Sequence, residues 1–315
     1  MSHPAPTPQP VAHLIRYRTG TSADLLPTYS LFLDSVEDLA VRLGTMSPDT
    51  RSDQAERAKD LARWRPLVEH LTATADQYWV AERNGQLLGY ARSILRDDVR
   101  ELTDFFVSPQ AQSDGVGREL LQRAMPRGAR ASYIIATQDL RAQALYHKLG
   151  HYQICAIYTF HHNIAQLAPP TLPQHDLLIE PITPQYIPML AKLDQAVHSY
   201  RRDVDHDWLM ANRRGFILLR DQRAVGYGYV GQPFSGPFVM IDAADYPAAL
   251  AHAEQLAIAQ RFENLGLDIP MLNRTAINYL LGRGYQMSPF FCFYMASGQP
   301  LHVDKTIVMA PMIII

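Results

Sequence analysis

The feature that most constrains this chain is that it repeats itself. Residues 15–18 (IRYR) alternate like a first strand, and residues 178–182 (LIEPI) do so again. Runs 78–82 (YWVAE) and 87–91 (LLGYA) flank Asn84-Gly85, a strong hairpin signal, and runs 216–219 (FILL) and 224–227 (AVGY) flank a second short turn. Residues 139–152 (DLRAQALYHKLGHY) are echoed by residues 273–285 (NRTAINYLLGRGY). Gly89 and Gly226 lie 137 residues apart, and Gly150 and Gly284 lie 134 apart. A nearly constant offset implies two copies of one α/β unit. Residues 165–176 (AQLAPPTLPQHD), with three prolines and few bulky apolar residues, read as the linker. The expected division is a Pro-rich mobile tail at 1–13, a first module at 14–163, a linker at 164–176 and a second module at 177–315.

Bulk properties narrow the function. Two domains suit 315 residues, and 47% hydrophobic content is ample for two cores. A formal charge of −2 and a pI near 6.6 leave no electrostatic footprint for nucleic acid. Two cysteines make neither a disulfide framework nor a zinc site, so a reducing cytoplasmic setting is expected. The tail lacks the basic and apolar regions of a signal peptide, and the terminal MIII is too short to span a membrane.

Residues 101–125 (ELTDFFVSPQAQSDGVGRELLQRAM) carry the clearest chemistry. Glu101 to Val107 favour a strand, Ser108-Pro109 end it, and Leu120, Leu121, Ala124 and Met125 recur at helical spacing. Gly115 and Gly117 bracket Val116 at the helix start. A strand feeding a helix through such a loop aims free amides and the positive end of the helix dipole at one point, which suits a pyrophosphate. Glycines let ligand oxygens approach the backbone. The dinucleotide fingerprint is excluded, because Leu120 occupies its third glycine position; a P-loop is excluded because Arg118-Glu119 follow Gly117.

The stretch resembles the acetyl-CoA loop of the GNAT acyltransferase superfamily, Val-x-Pro followed by Arg/Gln-x-x-Gly-x-Gly/Ala. Val107, Pro109, Gln112, Gly115 and Gly117 match without a gap, while Asp114 departs from the usual basic or neutral residue. Residues 139–152 resemble the family's second signature through Ala142, Leu145, Tyr146 and Gly150, with Asp139 for Asn and His151 for Phe. The resemblance implies two tandem GNAT modules, each a mixed β-sheet flanked by helices. It also implies acetyl-CoA as co-substrate and transfer of its acetyl group to a small-molecule amine. By the same resemblance, Phe106 and Val107 hold the pantetheine arm, and residues Gln112, Ser113, Asp114, Gly115, Val116, Gly117 and Arg118 cradle the pyrophosphate. Asp139 completes the cofactor-binding set.

Tyr146 corresponds to a family general acid beside the thiol sulfur; with an ordinary pKa near 10 it is a proton donor at neutral pH. An aromatic packed on a half-buried helix is the plainer alternative. Glu101 corresponds to a carboxylate that some members use as a base through water, or is a solvated strand-end residue. Asp104 falls on the opposite face by strand alternation and ranks below it. His147 and His151, near a helix end, read as surface groups, and Cys155 and Cys292 as small core residues. His161-His162 point to opposite faces and suggest no metal. Tyr29 and Trp64 lie in the helical region that roofs the family's acceptor site, with core packing the simpler reading.

The two copies differ. Residues 241–256 (IDAADYPAALAHAEQL), opposite the glycine loop, have no glycine, and Leu280 stands where the first copy has Tyr146. The expectation is chemistry in the first module and a degenerate second module that packs on it, shapes the acceptor site or binds a partner. Two alternatives remain. One is a non-catalytic CoA-binding protein. The other resembles mycothiol synthase, a tandem family whose second module is the active one.

Overall fold

The computed structural model describes residues 14–50, 52–111, 115–170, 176–299 and 301–309. The expectations for the tail, for residues 171–175 of the linker and for Gln112, Ser113 and Asp114 lie outside the described residues.

Turn chemistry builds the same frame twice. In the first module β1 (Arg16–Thr19) precedes α1 (Leu25–Arg42) and α2 (Gln54–Ala73). Asp53 starts α2 by accepting the Glu56 amide at 2.9 Å, a side-chain cap for an otherwise orphan donor. β2 (Ala75–Arg83) and β3 (Gln86–Arg96) meet across Asn84 and Gly85, whose φ angles of 53° and 78° are what a tight two-residue hairpin requires. Then follow β4 (Val99–Val107), α3 (Val116–Ala124), β5 (Ala131–Ala136), α4 (Leu140–Lys148) and β6 (Tyr152–Asn163).

The second module opens with β7 (Leu178–Pro181), α5 (Ile187–His198) and α6 (Asp203–Asn212). β8 (Arg214–Arg220) and β9 (Arg223–Val230) join through Asp221 and Gln222, again both at positive φ. β10 (Phe238–Met240), α7 (Tyr246–Ala259), β11 (Asn264–Pro270), α8 (Arg274–Gly282), β12 (Gln286–Ser297) and β13 (Thr306–Ile307) complete it.

The modules exchange strands. One sheet runs β1-β2-β3-β4-β5-β12-β6-β11 and the other β13-β10-β9-β8-β7. β12 of the second module lies antiparallel between β5 and β6, and β6 of the first lies between β12 and β11. β6, which the sequence suggests closes its own module, therefore pairs only with strands of the other. Each sheet half needs a strand from its neighbour.

Side chains seal the joint. Leu67, Leu71 and Ile94 of the first module pack with Leu190, Leu193, Ile217 and Tyr227 of the second, all buried. Arg96 grips Asp205 through Nε at 2.8 Å and Nη2 at 2.7 Å, and His70 Nε2 lies 2.7 Å from the same carboxylate. Burial opposes ionisation of Asp205, but Arg96 and His70 outweigh it and hold its pKa down at about 2.

The C-terminal strand completes the second sheet in an unexpected place. β13 pairs antiparallel with β10 (Phe238↔Ile307, Val239↔Thr306), and Val308 bridges to Asp268 of β11. It thus fills the gap between β10 and β11. The corresponding gap between β4 and β5 is open.

Candidate active site

The first cavity arises where a sheet comes apart. β4 and β5 run parallel from Val99↔Ala131 to Leu102↔Ile134, and the ladder stops there although both strands continue. The register of β4 against β3 slips at the same point: Arg92 faces Asp104 and Ser93 faces Leu102, leaving Thr103 as the bulged residue. A bulge bends and twists its strand, which turns the end of β4 away from β5. Unpaired backbone along this edge is free to bind a ligand.

The bulge also reverses a side-chain assignment. Counting in twos sets Glu101 and Asp104 on opposite faces, but the extra residue brings both to the face carrying α1 and α2. Glu101 is buried within the sheet, accepts a long hydrogen bond from Tyr133 (3.4 Å) and lines neither of the two cavities described here. Asp104 lines the second cavity.

The first cavity, about 530 Å³, is bounded by α1, the splayed ends of β4 and β5, the start of α3, and α4. Phe106, Val107, Gly115, Gly117, Arg118, Asp139 and Tyr146 all line it. Val116 is buried beneath the loop, in the core behind α3. The two glycines do different work. Gly115, the N-cap of α3, has φ 78°, and a Cβ there would meet no described protein atom within 4 Å. It supplies a left-handed turn and an open approach to the first amides of α3. A Cβ on Gly117 would meet Phe105 at 3.2 Å and Leu145 at 3.6 Å, so that glycine lets α3 settle against β4 and α4.

Charge suits an anion here. Arg42, Arg118, Arg141 and Lys148 line the cavity together with Asp38 and Asp139. Asp139 caps α4 by accepting the Arg141 amide (2.9 Å) and clamps Arg42 (2.9 Å) and Arg141 (3.1 Å). Burial opposes its ionisation, but the two guanidinium groups hold its carboxyl below the usual range. Tyr146 is buried, its ring edge-on to Phe105 with centroids 5.9 Å apart. Burial pushes its hydroxyl further up, so it remains a proton donor.

A second cavity of about 570 Å³ lies on the other side of β4. Thr103 and Phe106 line both cavities, so the two meet at the bulge. α1 spans them: Ser35, Leu39 and Arg42 face the first, and Thr28, Tyr29 and Phe32 the second. Trp64 of α2, His161 of β6 and, from the second module, Phe234, Gly266, Ser288 and Phe290 complete the wall. Tyr29 and Trp64, more simply read as core from sequence, face this space. Asp104 and His161 rank low from sequence because the bulge and the strand exchange that expose them leave no local signal.

Other sequence readings fall as follows. His151 is 3% exposed, bonded to Ser132 (2.8 Å), and burial pushes its pKa down to about 4; it is no surface group. The turn after α4 folds it inward against β5. Cys155 and Cys292 are buried thiols. Among the described residues, no cluster of His, Cys, Asp and Glu could hold a metal ion, and no helix is long and apolar enough to cross a membrane.

A parallel pair of strands splayed beside a glycine-led helix, within a frame that occurs twice and exchanges strands, defines a tandem fold of the GNAT class. Residues 39–151 match the model of the Acetyltransferase (GNAT) family, so the first module is a GNAT acetyltransferase-family domain. Solved structures agree on the fold. A putative acetyltransferase from Pyrococcus horikoshii is similar with a TM-score of 0.69 at 15% identity, covering 97% of both chains. A tandem GNAT protein from the clavulanic acid biosynthesis pathway gives 0.54 at 16% identity, over 90% of this chain and 98% of that one. A GCN5-related N-acetyltransferase from Sphaerobacter thermophilus gives 0.55 at 12% identity, over 91% and 98%. No curated protein matches this chain in sequence.

Proposed function

We propose that this protein is an acetyl-CoA-dependent N-acetyltransferase that acts on a small-molecule amine, with its chemistry in the first module. The observation that carries the reading is the meeting of two cavities across the Thr103 bulge, one built for a phosphorylated thioester and one open to an acceptor. The residues present fit acetyl-CoA. The first amides of α3, exposed by the left-handed turn at Gly115, would hold the pyrophosphate, and Arg118 would add charge. The edge of β4 at Phe106 and Val107, unpaired on the β5 side, would hold the pantetheine arm. Acetyl-CoA supplies the acyl group as a thioester.

The amine nitrogen forms the new bond to the acyl carbon as the carbon–sulfur bond breaks. Tyr146 holds the proton that the departing sulfur takes up. Asp104 and His161 line the acceptor cavity and are the groups there able to accept the amine's proton. The filled gap between β10 and β11 supports placing the chemistry in the first module and weighs against a mycothiol synthase-like division of labour.

The test is thiol release from acetyl-CoA across a panel of amines, paired with calorimetry of acetyl-CoA alone. Turnover with one cofactor bound per chain is expected. Tight binding without turnover on any amine would return the protein to the non-catalytic CoA-binding alternative.

A further inference from the structure

The second cavity is walled by rings. Phe32 and Phe106 meet edge-on with centroids 5.1 Å apart, and Tyr90 lies 5.7 Å from Phe106. Across the space, Trp64 of the first module and Phe234 of the second stand 5.9 Å apart. Such walls favour a flat or bulky apolar body and offer little to a polyhydroxylated one.

The polar groups in this cavity are few and unequally committed. Asp104 Oδ2 takes Arg92 Nε (2.8 Å), Arg92 Nη2 (2.7 Å) and the Thr103 hydroxyl (2.9 Å). Asp104 Oδ1 takes only the Tyr90 hydroxyl, at 3.3 Å, so one carboxylate oxygen has room for a strong donor. Among the described residues, Arg92 is the one lysine or arginine lining the cavity. Its Nη1 is occupied by Thr72 Oγ1 (2.6 Å) and the Val68 carbonyl (3.2 Å). A ligand carboxylate or phosphate would thus meet a cation already neutralised and bonded. The Tyr29 hydroxyl, on a residue only 5% exposed that lines the same space, has no hydrogen-bond partner among the described residues. A buried hydroxyl left so is a place for a ligand polar atom.

We infer that the acceptor is a primary amine carried on an aromatic or ring-sized apolar body and bearing no carboxylate or phosphate. Its nitrogen is held at Asp104 Oδ1 and its body between Trp64 and Phe234. The inference rests on the acyl-transfer reading above and adds the class of substrate. It also gives the second module a task, since Phe234 and Phe290 supply part of the wall.

The test uses a matched pair. 2-Phenylethylamine and phenylalanine differ by one carboxylate, and glucosamine offers an amine on a polar body. With the full-length protein and acetyl-CoA, kcat/KM for 2-phenylethylamine should exceed that for either of the others by tenfold or more. Asp104→Asn should raise KM for 2-phenylethylamine about tenfold with calorimetric acetyl-CoA affinity unchanged. Because Asp104 also partners a buried arginine, Phe234→Ala serves as a second variant. It should raise the same KM severalfold with no effect on acetyl-CoA binding. Preference for phenylalanine or glucosamine, or indifference of KM to both variants, overturns the substrate class while leaving acyl transfer intact. If no amine releases thiol, calorimetry of the same amines on the cofactor-loaded protein decides. Tighter binding of 2-phenylethylamine keeps the pocket assignment and ends the acyl-transfer reading, whereas equal or weaker binding ends the pocket assignment.

Discussion

The two modules share a frame and differ in what they leave unpaired. Both turn their central hairpin through two residues at positive φ, Asn84-Gly85 in one and Asp221-Gln222 in the other. Both cap the helix after the fifth strand with a side chain at the same place in the repeat, Asp139 in α4 and Asn273 in α8. They part at the gap between the fourth and fifth strands. In the first module the gap is a cavity, and the helix facing it opens on Gly115. In the second, Thr306, Ile307 and Val308 occupy the gap, fully buried, and the Asn273 amide donates to the Thr306 carbonyl at 3.2 Å. Where Gly115 stands in the first module, the second places Asp242 and Asp245, the latter paired with Arg220 at 2.8 Å. Carboxylates at a helix start satisfy the dipole that would otherwise attract a ligand phosphate. One fold can therefore serve as a site or as a support, depending on whether its backbone bonds are left open or closed by its own chain.

The largest break in this contrast comes from Gly115→Leu. A side chain at a left-handed position strains the turn and covers the amides, so calorimetry should find acetyl-CoA binding lost altogether. Two cofactors per wild-type chain, or full binding by this variant, would remove the asymmetry between the modules.

Next in size is Tyr146→Phe. If proton donation to sulfur limits the rate, kcat should fall by about 10²–10⁴-fold with binding spared. The variant keeps the ring contact with Phe105, so an unchanged kcat would leave Tyr146 as packing.

Ile307→Ala tests the filled gap. Removing a fully buried isoleucine should cost about 2–5 kcal/mol in denaturant unfolding and leave acetyl-CoA affinity unaltered. A gain of a second cofactor site would mean that β13 masks a working cleft.

The smallest expected effect concerns Asp268 in β11, wholly buried and bonded on one oxygen by Thr159 at 2.6 Å. Burial raises its pKa to about 7, against an unfolded value near 3.8, with the Thr159 bond pulling the other way. The folded state therefore binds the extra proton between these values, and stability should fall as pH rises from about 4 to 7. Asp268→Asn should flatten that slope and stabilise the protein above pH 7 by roughly 1–3 kcal/mol. Thermal unfolding at several pH values reads the difference, and an unchanged slope would show that the carboxylate titrates normally.

Much of this molecule was legible before its fold was known. Residues 14–50 and 52–111 follow their periodicity into strands and helices, although β2 starts three residues before its apolar run and β3 ends five residues after its own, and the Asn-Gly hairpin lies where its dipeptide puts it. The same holds for Gly115 at the head of α3 and for the repeat. These are local matters, governed by φ preferences, capping and the spacing of apolar residues, which a short window of sequence contains. Which strands pair is not local. β6 and β12 meet partners more than a hundred residues distant, and nothing in YQICAIYTFHHN distinguishes a strand that closes its own sheet from one lent to another. The bulge at Thr103 depends on register against β3, and a single inserted residue exchanges the faces of every side chain beyond it. Asp104, Tyr29, Trp64 and His161 face one cavity only because tertiary pairing brings β4, α1, α2 and β6 around it, and burial of His151 follows from the same packing.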